Sequence, residues 1–406
     1  MSAIKPHHLK SRTWLAVTAA SALALTGCAT DSGKSSAEKQ QSDSGGALKI
    51  GLLTSMSGPA GLFGPATRNV AELAAQEINA SGGVLGRKVS VVIGDDATNP
   101  DTGRQTATRL LDSDGVSVLV GMHTSATREA VLPKARSADT LYMYTPVFEG
   151  GACDPDLFTN GEVPSQQLKQ TIPWTQSATG RKRWFLLGND YAWGRASLDA
   201  AKQYITASGG EVVGTAFVPL GTTDFQAVIQ KVQQADPGLL LPALVGGDAI
   251  AFEKQAYDAG LGNSQAQRLG ILYEENTLAG MGPKVTEGMY TSLGYFQSLN
   301  TSANSAFLTA YRKKFGAKAP TVTSLSEQTY VAIKAWAQAA NAAGSTEAKE
   351  VAAKLGGLSL DAPAGKVTFE KNRTATQPVY VGQVTDGVVK IEKTFPAVAA
   401  DSQCTG

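Results

Sequence analysis

Short apolar runs that break into small polar residues and then into helical spacing recur along this 406-residue chain. That recurrence leaves few folds open. The stretch from Val118 to Gly150 shows it best: Val118 to Val120 is short enough for a buried parallel strand, and it exits through Gly121 into His123-Thr124-Ser125-Ala126. Helical spacing through Ala130, Val131 and Ala135 follows, then a second apolar run from Leu141 to Tyr144. Strand, polar exit, helix, strand is the unit of an open α/β sheet, in which ligands sit at the carboxyl ends of the strands. Hydroxyls opening a helix suit a ligand oxygen. The same Thr124 and Ser125 fit a plain helix cap equally well.

Further units flank this one. Leu48 to Leu53 is a strand that exits through Ser55-Met56-Ser57-Gly58-Pro59, and Val70, Leu73, Ala74 and Ile78 mark the helix behind it. Val89 to Ile93 leads to Asp95-Asp96, and Asn99-Pro100 starts the next helix. A second series has strands at Trp184 to Leu187, Val212 to Val218, Leu239 to Val245 and Leu269 to Tyr273. Their exits are Gly188-Asn189-Asp190-Tyr191, Gly246-Gly247-Asp248 and Glu274-Glu275-Asn276. Beyond Met289 come two long helices, with Phe307, Tyr311 and Phe315 and then Tyr330, Ile333 and Trp336 as core stripes. Short strands at Lys366 to Phe369, Val379 to Val384 and Val388 to Thr394 finish the chain, the last two joined by an Asp386-Gly387 hairpin turn. The expected fold class is α/β, two doubly wound Rossmann-like lobes. The chain crosses between them more than once, which makes a hinge. One lobe is expected over 47–164 plus 293–361, the other over 165–292 plus 362–406.

Lys5, Lys10 and Arg12 precede an apolar run, Trp14 to Leu25, of signal-peptide length and short of the roughly 18 residues that span a bilayer. Leu25-Thr26-Gly27-Cys28 looks like a bacterial lipobox, so residues 1–27 read as a lipoprotein signal peptide and Cys28 as the acylated first residue. A plain signal peptide with an incidental cysteine is the alternative. Residues 28–46 hold no large apolar side chain and read as a flexible tether. Export places the protein outside the cytoplasm, on the membrane through its lipid only. Cys153 and Cys404 then remain as a disulfide pair, or as two unpaired cysteines.

Little catalytic chemistry is available. Leader removal leaves His123 as the lone histidine and takes the formal charge from +1 to −2, which gives no basic surface for nucleic acid. No nucleophile elbow, Cys-x-x-Cys or phosphate-binding loop occurs, and no cofactor or metal is expected. Asp95/Asp96 and Glu274/Glu275 are paired acids, but neighbours on a strand face opposite ways, so capping or solvated roles are expected for Asp95 and Asp96.

These features resemble the type I solute-binding (periplasmic binding) proteins of ABC importers, in the branched-chain amino acid and amide branch. The residues that carry the likeness are Gly51-Leu52-Leu53 with Ser57-Gly58-Pro59, Glu77-Ile78-Asn79 with Gly82-Gly83 and Gly86, and Asp95-Asp96. Ser125 through Pro133, Tyr144, Glu149-Gly150, Gly188 through Tyr191 with Arg195, and Val218 through Gly221 look most like the urea and short-chain-amide binders. The resemblance implies that Ser125 hydrogen-bonds the ligand, that Tyr144 and Tyr191 supply aromatic walls, and that Tyr273 or Glu274 closes from the second lobe. Thr124, Thr145 and Asp248 complete the expected ligand set. The chain departs from the amide binders at His123, where they carry an aromatic, and at Tyr144-Thr145, where they carry Tyr-Pro. Glu274 in the cleft implies a ligand with an ammonium group; Glu274 in solvent implies a neutral amide or urea. The expected role is capture of a small polar solute for ABC permease subunits, with a branched-chain amino acid as the alternative ligand. A ligand-sensing receptor of the same fold is the alternative role, and an exported hydrolase lacks its catalytic set.

Overall fold

A computed structural model describes residues 46–401. The first series of elements is β1 (Leu48–Thr54), α1 (Gly64–Ala80), β2 (Val89–Asp95), α2 (Pro100–Thr108), β3 (Val118–Met122), α3 (Ser125–Ser137), β4 (Tyr142–Tyr144) and β5 (Leu157–Thr159). The second is α4 (Pro164–Leu168), α5 (Thr171–Thr179), β6 (Arg183–Asn189), α6 (Ala192–Ala207), β7 (Glu211–Val218), α7 (Gln226–Ala235), β8 (Leu239–Ala243), α8 (Gly246–Asp258), β9 (Gln267–Gly270), α9 (Glu275–Met281), α10 (Pro283–Thr286) and β10 (Tyr290–Leu293). Helices α11 (Ser302–Phe315), α12 (Ser324–Ala343) and α13 (Ala348–Leu355) precede β11 (Ser359–Ala362), β12 (Gly365–Phe369), β13 (Ala375–Thr385) and β14 (Val388–Val398).

The strands form two sheets. One is wholly parallel in the order β2-β1-β3-β4-β5. Ile50, Leu52, Leu53, Val118 and Val120 are fully buried in it, because helices cover both faces and every strand position needs an apolar partner. Ala71 and Ala74 of α1 meet Val331 and Trp336 of α12 on one face, and Ala107 and Val131 of α2 and α3 pack on the other. The second sheet runs β11-β12-β13-β10-β9-β8-β6-β7, parallel from β10 to β7 and antiparallel where β13 joins β10, with β14 on β13. Two doubly wound lobes result, as the strand-exit-helix repeat predicts.

Some boundaries differ from the sequence expectation. The fourth strand of the second series ends at Gly270, not Tyr273. The chain folds back there: a Cβ on Gly270 would stand 2.5 Å from the Tyr273 ring. β5 and β10 have no counterpart in the pattern, since runs of three or four residues acquire strand character only from their neighbours. Asn99 does cap α2, accepting from the Asp101 and Thr102 amides at 3.0 Å each. The leader, Cys28, the tether before residue 46 and Cys404 lie outside the described residues; Cys153 is disulfide-bonded.

The chain passes between the sheets after β5, after β10 and again between α13 and β11. Buried side chains fasten these passages to one another. Glu162 accepts from the Gly294 amide and, at 3.1 Å, from Ser324 Oγ, Asn160 Nδ2 donates to the Gln328 carbonyl at 2.8 Å, and Gln377 Nε2 donates to the Asn160 carbonyl at 2.8 Å. Glu327 holds the Ala364 amide at 3.2 Å and Glu275 the Gln297 amide at 2.6 Å. Burial pushes both Glu327 and Glu275 up to about 8, with the neighbouring Glu274 adding to the shift of Glu275. An unfolded glutamate titrates near 4.5, so the folded form binds these protons more tightly and loses stability as pH rises towards 8. The melting temperature is expected to fall as pH rises from about 5 to about 8. Glu327→Gln, which keeps an acceptor for the Ala364 amide, should flatten that slope; an identical slope would place the titration elsewhere.

Candidate ligand-binding site

The carboxyl ends of β1 and β3 face those of β8 and β9 across a small cavity. Its polar lining is Ser55, His123, Thr124 and Tyr191, and its apolar lining includes Phe63, Met122, Val147, Val245, Leu272 and Leu325. It measures about 30 Å³, so the lobes stand closed on one another. Tyr191, Val245 and Leu272 come from the second lobe and the rest from the first.

Beneath the cavity floor lies Asp96, wholly buried just past β2. Its carboxylate accepts from Ser55 Oγ at 2.6 Å, the Thr98 amide at 3.1 Å and Thr127 Oγ1 at 2.9 Å, so it joins the exits of β1 and β2 to the first turn of α3. Asp95 faces the other way and holds the Met56 and Ala97 amides and Ser57 Oγ. Burial works against its charge, but these three donors prevail and hold it below the usual carboxylate range. The opposite facing expected of neighbouring strand residues is therefore present. Asp96, however, is not solvated.

His123 has one defined tautomer. Its Nδ1 lies 3.2 Å from the Thr124 carbonyl, which only accepts, so Nδ1 carries the proton and Nε2 accepts from Tyr142 Oη at 2.8 Å. Burial lowers its pKa below 6.5, and Arg128 acts in the same direction against Asp96 and the Thr124 carbonyl. The imidazole at the cavity is thus neutral. Gly121 permits this arrangement: a Cβ there would stand 2.6 Å from His123 Nε2 and 2.7 Å from the Tyr142 ring.

The predicted ligand residues are distributed unevenly. Thr124 and Tyr191 line the cavity. Thr124 is also the cap of α3, its Oγ1 accepting from the Thr127 amide at 3.3 Å, as the cap reading of that hydroxyl expects. Ser125 is buried beside the Tyr144 hydroxyl. Tyr144 is wholly buried and donates to the His123 carbonyl at 2.8 Å. Thr145 turns inward instead, 2.9 Å from Thr329 Oγ1 of α12. Asp248 accepts from Asn189 Nδ2 at 2.7 Å and the Gly221 amide at 2.9 Å, fastening the exits of β6 and β7 to α8; its pKa is raised, burial outweighing these bonds. Tyr273 donates to Glu253, itself paired in the core with Arg268.

Glu274 overturns both alternatives framed for it. It is neither solvated nor a ligand arm but the buried cap of α9, accepting from the Asn276 and Thr277 amides and from Thr277 Oγ1 at 2.6–2.8 Å. Orphan amides at a helix start need an acceptor, and a carboxylate one residue ahead of the helix supplies it. Sequence reasoning passed over Ser55 and the apolar half of the cavity. The hydroxyl in the Ser55–Pro59 exit was a signal for the former; the apolar residues carry none, since each also reads as core.

The lobes meet directly beside the cavity. The Pro59 carbonyl accepts from the Gly247 amide at 3.2 Å, so a first-lobe carbonyl serves an amide at the start of α8. Gly246, at φ 42°, admits this approach: a Cβ would stand 2.7 Å from Leu62 Cδ2 and 2.8 Å from the Pro59 oxygen. Among the described residues no cluster of three or more His, Cys, Asp or Glu could hold a metal, and no helix is long and apolar enough to cross a membrane.

A family model described as periplasmic binding protein matches residues 47–388. Leu/Ile/Val-binding protein homolog 3 of Brucella melitensis is 25% identical over 344 residues, which cover 82% of this chain and 90% of that protein. Leu/Ile/Val-binding protein BraC3 of Rhizobium johnstonii is 26% identical over 340 residues, covering 79% and 87%. Among solved structures, a solute-binding protein of an ABC transporter from Rhodopseudomonas palustris BisB5, in complex with 3,4-dihydroxybenzoic acid, superposes with a TM-score of 0.78 at 25% identity. That match covers 87% of this chain and 98% of the other. LivJ of Streptococcus pneumoniae, a branched-chain amino acid transporter substrate-binding protein in complex with isoleucine, shares the fold with a TM-score of 0.76 at 23% identity, covering 87% and 99%.

Removing Asp96 tests the floor of the site. Asp96→Ala strands two buried hydroxyls and an amide, and chemical denaturation should report a loss of about 3 kcal/mol or more. A loss below about 1 kcal/mol would show that the strand exits do not depend on it.

Proposed function

Because the chain belongs to the periplasmic binding protein family, we propose that it captures a small polar solute, a urea or short-chain amide, between its lobes and delivers it to the permease of an ABC importer. The observation that carries the ligand class is the cavity lining. Hydroxyls and a neutral imidazole supply its polarity, and no Asp, Glu, Lys or Arg lines it. A zwitterionic ligand needs charged partners at both ends once water is expelled, whereas an uncharged amide needs only donors and acceptors. The names of the curated relatives and the apolar half of the cavity support a second reading, a branched-chain amino acid. Closure proceeds by rotation about the three chain passages, bringing Tyr191 onto a ligand already resting on the first lobe. Contacts from both lobes make the closed form the tight one. The body stands outside the cytoplasm on a lipid attached at Cys28.

Calorimetry with urea, acetamide, leucine and isoleucine separates the two ligand readings. Tyr191→Ala should weaken the bound solute roughly tenfold or more while the unliganded melting temperature stays nearly constant. Unchanged affinity would sink the assignment of the cleft. Gly246→Val should weaken binding as well, with small-angle scattering reporting a more open particle in the presence of solute. Cys28→Ala should abolish incorporation of labelled fatty acid and release the protein from the membrane; retention of label would refute the anchor.

A further inference from the structure

β14 belongs to the second sheet, but the residues that follow it turn back towards the first lobe. Gln166 Nε2 of α4 donates to the Val398 carbonyl at 2.8 Å, so the end of β14 is held against the second lobe's opening helix. The Asp401 amide donates to Ser165 Oγ at 3.1 Å, and its carboxylate lies 3.2 Å from Lys169 Nζ. Between these points Ala400 packs against the apolar cluster of the first lobe, the same cluster that Ala152 joins from the loop between β4 and β5. Asp401 thereby stands at a groove of about 340 Å³ with Glu149 and Gly150 of the first lobe on one side and Ser165, Asp199 and Tyr204 of the second on the other. Separation of the lobes widens that groove, since its two sides belong to different lobes.

Cys153 lies on the first-lobe side of this junction. It follows Ala152, is exposed, and is disulfide-bonded. The next residue, Asp154, is buried and pinned: it accepts from Arg136 in the last turn of α3 and from the Asp156 amide at 2.9 Å. The cap at the other end of α3, Thr124, lines the cavity. Only Cys28 and Cys404 remain in the sequence to pair with Cys153. A Cys28 that carries lipid on its sulfur has no thiol left, whereas Cys404 follows Asp401 by three residues, a reach of at most about 11 Å.

We propose that a Cys153–Cys404 disulfide straps the last strand of the second lobe to the β4–β5 loop of the first, a fourth connection between the lobes that limits how far they open. It rests on the capture reading for the motion and on the anchor at Cys28 for the choice of partner. Formation joins the two sulfurs and passes two protons and two electrons to an exchange partner whose own disulfide becomes a dithiol; added dithiothreitol reverses the balance. Exposure of Cys153 leaves the bond open to that exchange. The strap touches no solute. It acts on affinity by removing widely open arrangements from the unliganded protein, so less freedom is lost when the lobes close.

Peptide mapping of the exported, unreduced full-length protein should recover Cys153 joined to Cys404. Recovery of Cys153 free, or joined to Cys28, overturns the inference, and the second result counts against the lipid anchor too. Opening is read without solute from hydrogen exchange in a peptide spanning Gly247, whose amide loses its Pro59 acceptor when the lobes part. In Cys404→Ser, and in the wild type reduced with dithiothreitol, that exchange should quicken roughly threefold or more while exchange across β8 keeps its rate. Calorimetry on the same samples with urea, acetamide, leucine and isoleucine should show a matching loss of affinity for whichever binds. A bond that merely stabilises the fold lowers the melting temperature when cut and leaves Gly247 exchange and affinity as in the oxidised protein; that result overturns the strap. Should Cys404→Ser fail to fold, reduction of the folded wild type carries the test. Quickened Gly247 exchange with silence towards all four probes upholds the strap and counts against the capture reading alone.

Discussion

The buried carboxylate of Asp96 is the constraint on which the first lobe's working end depends. Parallel strands bring their exits to one edge but leave each loop free to choose its path. Asp96 removes that freedom by drawing Ser55, Thr98 and Thr127 to one point. Ser55 and Thr124 then stand at fixed positions on the cavity wall, and His123 keeps one tautomer because its carbonyl and hydroxyl partners are fixed as well. In the second lobe Asp248 does comparable work through Asn189 and Gly221, although the residues around it are different.

Between the lobes the polar economy is unlike that of either core. Glu162, Glu327 and Glu275 are buried at the passages, each bonded to a main-chain amide of a crossing or neighbouring segment. An apolar contact there would set no direction; a carboxyl oxygen on an amide does. Burial favours the neutral, protonated form of these groups, as the upward shifts of Glu327 and Glu275 register.

Much of this was legible in the sequence because parallel strands buried on both faces leave uninterrupted apolar runs. Val118 to Val120, Leu48 to Leu53 and Trp184 to Leu187 announce themselves, and Asn99-Pro100 marks a helix start by simple stereochemistry. β5 and β10 do not, because Leu157–Thr159 and Tyr290–Leu293 acquire their conformation from neighbours in the sheet. At the site, exits were visible but directions were not. Thr145 reads as a ligand residue until Thr329, 184 residues away, is found beside it. Glu274 reads as a choice between cleft and solvent until α9 is seen to need a cap.

The contact between the Pro59 carbonyl and the Gly247 amide is made by main chain on both sides. It therefore senses separation alone, not the identity of what lies in the cleft. Side chains around the cavity could change to suit another solute while this clasp kept its geometry, so a closed particle would present the same outline whatever it held. A membrane partner that recognises that outline would need no knowledge of the cargo, and selectivity would rest wholly with the lobes that close on it.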